Sequence, residues 1–350
     1  MPPFPEIRFL VPPANKQVGG IAAFLKGLRS SLCSKGLLVK EGARFLGGGS
    51  IHHVHGIWNV RNSLICYFFI IFRNPYIISP HGMLEPWALA HKGVKKTLYL
   101  RLIEARVLKG AARVFVTSEI ERRNVLRAVP EARTQTHAVG QFEVRKDDYD
   151  RARVSLGISE DETVLLFLSR IDEKKGLDLL LAALAENLKR YSRVSLFVVG
   201  DGLGPYVCSL RQKSDAIAGS LRRIEWMGAV WGDARWSFLQ AADVFCLPTH
   251  SENFGLAVLE ALSVGTPVLT TDKTPWAEST LPGLHICAPE AHDVARALLE
   301  AIVGSSEWSQ IKRSSLSSQV RAKFDWAKIV DSYILAYDEV FKEYERFYEA

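Results

Sequence analysis

The chain has 350 residues, 48% of them hydrophobic and 23% charged, a globular composition that is long for one core and comfortable for two domains. Its five cysteines, Cys33, Cys66, Cys208, Cys246 and Cys287, are scattered without a CxxC pair, which argues against a disulfide framework or a zinc site and suits a reducing cytoplasm. The formal charge of +6 is unevenly shared: residues 1–150 hold 22 Lys and Arg against 11 Asp and Glu, and the remainder holds 22 against 27. A basic half beside an acidic half predicts two domains with different partners, and the basic half suits anionic headgroups or a lipid-linked phosphate acceptor. A merely solvated basic face is the plain alternative. No nucleic-acid motif is present, and the basic residues are not interleaved with aromatics as stacking platforms are.

In chain order, residues 1–13 lack the basic and then long apolar pattern of a secretory signal. Strands are expected at Ile7–Val11, His53–Gly56, Tyr76–Ser79 and Arg113–Thr117, with helices at Ile21–Lys35 and Lys95–Lys109. The longest apolar run, Leu64–Phe72, is far short of the roughly 20 residues of a spanning helix. It predicts a buried helix, with shallow membrane contact as the alternative. The polar segment Gly140–Leu156 reads as an interdomain connection. A second strand–helix alternation follows, with strands at Thr163–Ser169, Ser195–Val199, Ile224–Met227, Val244–Leu247 and Pro267–Thr270 and helices at Leu177–Leu188 and Trp236–Ala242. This rhythm implies parallel sheets with crossover helices. The expected domains are 1–145 and 146–330, with the aromatic-rich helix at 330–350 returning to the first.

Two segments carry the chemistry. In Ser251-Glu252-Asn253-Phe254-Gly255-Leu256, a loop opens at a strand's carboxyl end and leads into a helix. Ligands bind at such strand ends, and the free N–H groups of a helix start favour an anion such as pyrophosphate. Glu252 is expected on the loop, and Glu260 about two turns into the helix, within reach of a ribose. In Ser169-Arg170-Ile171-Asp172-Glu173-Lys174-Lys175-Gly176, a second strand ends in a loop. Arg170 and Lys175 there could neutralise the charge on a departing diphosphate. A solvated basic turn is the alternative for this segment taken alone.

These two segments resemble the retaining glycosyltransferases of family four, also called group one glycosyl transferases. Gly200-Asp201-Gly202, Ala241–Pro248, Glu260–Val268 and Phe324-Asp325-Trp326 extend the likeness. So do Gly19-Gly20-Ile21, His55-Gly56-Ile57-Trp58, Ser79–Trp87 and Thr117-Ser118-Glu119 in the first half, of which the second and third are similar to bacterial polysaccharide members. The resemblance implies an α/β GT-B fold, two Rossmann-like domains with parallel sheets facing across a cleft. It implies a retaining, metal-independent hexosyltransferase that uses a nucleotide-diphosphate sugar and needs no cofactor.

By the same resemblance, Arg170 and Lys175 stabilise the leaving phosphate, Glu252 binds the donor sugar, and His81 approaches it. Gly19, Gly20, Gly202, Asn253, Phe254, Gly255 and Leu256 surround the donor, Glu260 holds the ribose, and Gly228 to Trp231 lie near the base. A UDP-sugar is slightly favoured over a GDP-sugar. The acceptor is expected to be a glycan, lipid-linked, in cell-surface polysaccharide or lipopolysaccharide synthesis at the cytoplasmic face of the membrane, with peripheral membrane contact and no nucleic-acid partner. The alternatives are a GT-B epimerase or a non-catalytic sugar-nucleotide-binding protein.

The chain departs from the family pattern at the short stretch between Gly36 and His53 and at Ala138–Glu143, where the usual Pro-Asn-Gly-Val turn is absent. The DxD string at Asp148–Asp150 reads as solvated linker. His52, His53 and His55 alternate across a strand, which makes one compact metal site with His81 awkward.

Overall fold

The computed structural model describes residues 6–12, 20–44, 49–90, 93–141, 149–186 and 191–349. The chain divides into two compact units, Met1–Phe142 with Phe324–Ala350, and Glu143–Lys323.

The first unit runs β1 (Glu6–Leu10), α1 (Gly20–Ser34), β2 (Val39–Glu41), β3 (Ser50–His55), α2 (Val60–Ile71), β4 (Tyr76–Ser79), α3 (Pro86–Ala90), α4 (Gly93–Tyr99), α5 (Ala105–Gly110), β5 (Arg113–Val116), α6 (Glu119–Ala128) and β6 (Thr134–Thr136). Its six strands are parallel in the order β2-β1-β3-β4-β5-β6. The second unit runs α7 (Tyr149–Ser155), β7 (Thr163–Leu168), α8 (Leu177–Glu186), β8 (Val194–Val199), α9 (Pro205–Ile217), β9 (Arg223–Gly228), α10 (Ala234–Ala241), β10 (Val244–Leu247), α11 (Leu256–Ser263), β11 (Val268–Thr271), β12 (Leu284–Cys287), α12 (Ala291–Ser305) and α13 (Gln310–Lys323). Its sheet is parallel in the order β12-β11-β10-β7-β8-β9. The order reverses between β10 and β7, and ligands of open parallel sheets bind outside strand ends at such a switch point.

Central strands are continuous apolar runs buried on both faces, as helices on both sides of a sheet require: every residue of β8 and β10 is buried. Three strands escaped the sequence reading. β2 (VKE) and β6 (TQT) are three-residue edge strands with polar sequences, and β12 is a four-residue edge. The first two lack the apolar pattern that marks a strand, as exposure at an edge allows, whereas β12 (LHIC) keeps apolar residues and is only short. β2 also shows that the short stretch after Gly36 keeps a strand.

The helix α14 (Trp326–Glu349) belongs to the first unit. Tyr333 and Tyr337 are fully buried, and the Tyr337 hydroxyl lies 2.6 Å from His53 Nδ1. The aromatic density of the tail is therefore core material for the first sheet.

Three expectations need correction. The run Leu64–Phe72 is not a buried helix. In α2, Cys66 and Phe69 are buried, while Val60, Leu64, Phe68, Ile71 and Phe72 are at least half exposed, because only one stripe of a helix can face the sheet. The expected Lys95–Lys109 helix is split by a π-helical turn, Leu100–Glu104. Glu104 is 1% exposed there and accepts the Trp58 N–H and the Ser63 hydroxyl.

The segment Gly140–Leu156 is not all connection, because α7 lies in it. Tyr149 donates to Asp243 (2.8 Å), and Arg153 pairs with the same carboxylate (3.0 Å) while donating to the Ser159 and Glu162 carbonyls. Asp243 also accepts the Val164 N–H, and Arg313 lies 3.6 Å from it. Asp148 lies outside the described residues; Tyr149 is a structural anchor and Asp150 is exposed.

This network joins α7, β7, β10 and α13 through one buried carboxylate. Removing one partner of a buried ion pair leaves an uncompensated charge and costs about 3–5 kcal/mol. Asp243→Ala is therefore expected to lower unfolding free energy by about that much in urea titration, whereas a loss below about 1 kcal/mol would assign the network a surface-like role.

Candidate active site

The site in the second unit is built from the loops after β7 and β10, which flank the switch point. After β7, the Ile171 N–H donates to the Asp201 carbonyl (2.8 Å). Asp172 then caps a single 3-10 turn, Glu173–Lys175, by accepting the Lys174 N–H (3.0 Å). Gly176 follows at φ +71°, where a Cβ would sit 1.9 Å from the Pro248 carbonyl oxygen. Only glycine lets the loop come so close to the end of β10. The Lys174 carbonyl accepts the His250 N–H (2.8 Å) and the Thr249 hydroxyl (2.7 Å), so the two loops are laced together.

That lacing brings Lys175 to Glu252. Their side chains form an ion pair and are only 14% and 11% exposed. The Glu252 N–H donates to the Lys273 carbonyl (3.1 Å), and the Phe254 carbonyl accepts the Trp276 indole N–H (2.7 Å). Gly255, at φ +78°, stands just before α11, and no side chain caps this helix. The Val258 and Leu259 N–H groups donate to the Gly255 carbonyl (3.0 and 3.1 Å), so the helix start can offer a ligand the N–H groups ahead of them, at Leu256 and Ala257.

Arg170, expected to act beside Lys175 on a departing diphosphate, is not drawn into the Lys175–Glu252 pair. Its side chain is 74% exposed and lies 3.3 Å from the Asp172 carboxylate. The attraction of Asp172 favours this position. Glu260 also needs correction. Because α11 starts only at Leu256, Glu260 is about one turn into the helix rather than two. It pairs with Arg235 (3.0 Å), and burial raises its carboxyl pKa against the pull of that arginine. No motif surrounds Arg235 in the sequence, so only the fold reveals it.

Gly202 and Gly200 follow β8. The Gly200 N–H donates to the Gly228 carbonyl (2.8 Å) at the end of β9, and a Cβ on Gly200 would meet the Ser169 carbonyl at 1.8 Å. Asn253 sits between Glu252 and Phe254 on the β10 loop, and Trp231 is 74% exposed beyond β9.

In the first unit, Gly19 lies outside the described residues and Gly20 opens α1. His81 follows β4 at φ +54°. The neighbouring Gly82 N–H donates to Glu121 (2.6 Å), and the other Glu121 oxygen accepts the Thr117 N–H (2.7 Å) and hydroxyl (2.9 Å). Ser118 caps the Glu121 N–H in turn. Glu121 was missed, although Ser118-x-x-Glu121 has the spacing of a capping box.

His81 Nε2 lies 3.2 Å from His55 Nδ1, and His53 sits between Tyr337 and the Ser79 hydroxyl (2.8 Å). His52 points to the opposite sheet face and stacks on Phe69. Burial pushes the pKa values of His53 and His55 well below the usual imidazole value, and those of His81 and His137 down to about 4.

Comparison with known proteins fits both halves. The model for "Glycosyl transferases group 1" matches residues 148–321, and that for "Glycosyl transferase 4-like domain" matches 5–140. The chain belongs to the group 1 glycosyl transferases. Among relatives, it is 28% identical over 194 residues to alpha-monoglucosyldiacylglycerol synthase of Streptococcus pneumoniae, covering 55% of this chain and 43% of the relative. It is 28% identical over 191 residues to phosphatidyl-myo-inositol mannosyltransferase of Mycobacterium tuberculosis, covering 53% and 49%. The matches thus span a little under half the length of these relatives.

Among solved structures, sucrose-phosphate synthase from Thermosynechococcus elongatus has a TM-score of 0.75 at 18% identity, covering 97% of this chain and 100% of that one. HepE of Anabaena, in complex with UDP and glucose, has a TM-score of 0.74 at 18% identity, covering 95% and 100%. These likenesses define the fold, which is GT-B with two Rossmann-like domains.

The histidines of this cluster make stability depend on pH. His81 has a folded pKa of about 4 against 6.5 unperturbed, so the unfolded chain binds more protons between those values. Its contribution is complete above pH 6.5 and is lost as pH falls toward 4, at about 1.4 kcal/mol per pH unit. His81→Asn, which tolerates the left-handed backbone, is expected to flatten the slope of unfolding free energy over that window by about one proton. An unchanged slope would show that His81 does not titrate this way.

Proposed function

We propose that the chain is a retaining, metal-independent hexosyltransferase acting on a nucleoside diphosphate sugar, with UDP favoured over GDP. Its acceptor in this reading is a lipid-linked glycan at the cytoplasmic membrane face, in the synthesis of cell-surface polysaccharide or lipopolysaccharide. The observation that carries the reading is the largely buried Lys175–Glu252 pair beside the uncapped start of α11, at the switch point of the group 1 domain. Two of the relatives named above carry a lipid in their names, diacylglycerol and phosphatidyl-myo-inositol. HepE, whose fold is shared, has been seen with UDP and glucose.

In this mechanism Lys175 exchanges Glu252 for an oxygen of the distal phosphate. Freed from the lysine, Glu252 accepts hydrogen bonds from hydroxyls of the donor sugar. Arg170 is exposed on the same loop and swings from Asp172 to the diphosphate. The first N–H groups of α11 complete the cradle. The bond from sugar C1 to the phosphate oxygen breaks, and the electron pair leaves with the diphosphate. The acceptor oxygen forms its bond to C1 with overall retention, and its proton passes to the departing phosphate oxygen. Positive side chains at the leaving group take the place of a divalent metal. Glu260 and Arg235 stand near the ribose.

Removing one preorganised donor to a developing anion lowers turnover about 10²–10³-fold. Lys175→Ala and Arg170→Ala are each expected to slow donor hydrolysis and sugar transfer on that scale, with thermal melts confirming that each variant is folded. Unchanged rates in both variants would refute the leaving-group role. A nucleoside diphosphate at 100 times its Kd should also stabilise the wild-type protein by about 2.7 kcal/mol in a melting assay.

A further inference from the structure

The helix α2 carries an apolar stripe that its own sheet does not cover. Val60, Leu64, Phe68, Ile71 and Phe72 are between 50% and 69% exposed. They recur at helical spacing opposite the buried Cys66 and Phe69. The stripe continues onto α4 and the π-helical turn. The Ser63 and Tyr99 hydroxyls lie 3.1 Å apart, and the Tyr67 hydroxyl donates to the Leu102 carbonyl (3.3 Å). These contacts lay α4 and the π-turn alongside α2, with Leu98 and Leu102 59% and 60% exposed.

Charge along this stretch is mostly of one sign, although Lys109 pairs with the exposed Glu131 (3.2 Å). Residues 57–110 contain Arg61, Arg73, Lys92, Lys95, Lys96, Arg101, Arg106 and Lys109 against only Glu85 and Glu104. Both acids are buried, at 2% and 1% exposure, whereas Arg61, Arg73, Lys95, Arg101, Arg106 and Lys109 are exposed. None of these residues belongs to the donor site. No described helix is long and apolar enough to cross a membrane.

We infer that α2, with α4 and the π-turn, docks on an anionic lipid bilayer, laying Leu64, Phe68, Ile71, Phe72 and Leu102 into the headgroup boundary with the cations around them on lipid phosphates. An apolar face flanked by Lys and Arg is the composition of a helix lying in the membrane interface. The like-signed rim selects against a second copy of this chain, because an isologous contact would set Arg61 and its fellow cations against one another. The inference rests on the lipid-linked acceptor reading for its purpose, not for its observations.

The test is flotation of the full chain, without nucleotide, on vesicles of phosphatidylcholine alone and of phosphatidylcholine with phosphatidylglycerol. Wild-type protein is expected to float with the anionic vesicles at low salt, and less at high salt. Replacing exposed cations singly, as in Arg61→Gln or Arg101→Gln, should weaken partitioning about fivefold each. The double variant Leu64→Gln, Ile71→Gln should weaken it about tenfold or more. Both positions are exposed, so these variants should melt as the wild type does and keep its donor hydrolysis. Failure of the wild type to float overturns the inference, as does equal flotation of the apolar variant. Concentration-dependent self-association without flotation also overturns it and assigns the face to a second copy. Hydrolysis of the donor is read separately, so loss of flotation with hydrolysis intact leaves the transferase reading standing.

Discussion

The candidate site depends on one close approach. The loop after β7 reaches the end of β10 because Gly176 has no Cβ to strike the Pro248 carbonyl, and the Lys174 carbonyl then binds both Thr249 and His250. Everything at the mouth of the second sheet follows from that contact. It sets Lys175 against Glu252 while both are shielded from water. A lysine held in this way stays oriented without a ligand, because Glu252 occupies the place that we assign to a phosphate. Preorganisation of this kind lets electrostatic stabilisation act without rearrangement at the moment of reaction.

The same two strands are fixed at their other end by a different device. Asp243 immediately precedes β10, accepts the Val164 N–H of β7 and gathers Arg153, Arg313 and Tyr149. One buried carboxylate thus ties β7 and β10 together at their amino ends, while Gly176 and Lys174 join them at their carboxyl ends. The first unit repeats the logic with Glu121, whose two oxygens hold the N–H groups of Gly82 and Thr117. That grip holds the turn where His81 takes a left-handed backbone that a residue with a Cβ adopts at a cost.

What the sequence made legible was whatever repeats along the chain or sits beside it. The central strands were readable because burial on both faces makes them continuous apolar runs. The loops of Arg170, Lys175 and Glu252 were readable because they stand between a strand and a helix. Edge strands such as Thr134–Thr136 were not, since exposure removes the pattern. The start of α11 was legible, since Gly255 stands just before the helix-prone run; Glu260 lies about one turn in rather than two because it follows Leu256 by only four residues. Arg235 and Glu121 act through residues distant in sequence, Glu260 and Gly82, so periodicity could not pair them. The two faces of α2 could not be told apart because both are apolar, and only the position of the sheet decides which is covered.

The central claim is that Lys175 and the start of α11 recognise a diphosphate through its second phosphate. It is tested most directly by calorimetric titration of the wild-type protein with uridine and guanosine diphosphates and the matching monophosphates. A charge-assisted contact to phosphate is worth about 1.5–3 kcal/mol, so the preferred diphosphate is expected to bind at least about tenfold more tightly than its monophosphate. This advantage should disappear in Lys175→Ala. Equal affinities for diphosphate and monophosphate in the wild type, or a preference that survives loss of Lys175, would contradict the account.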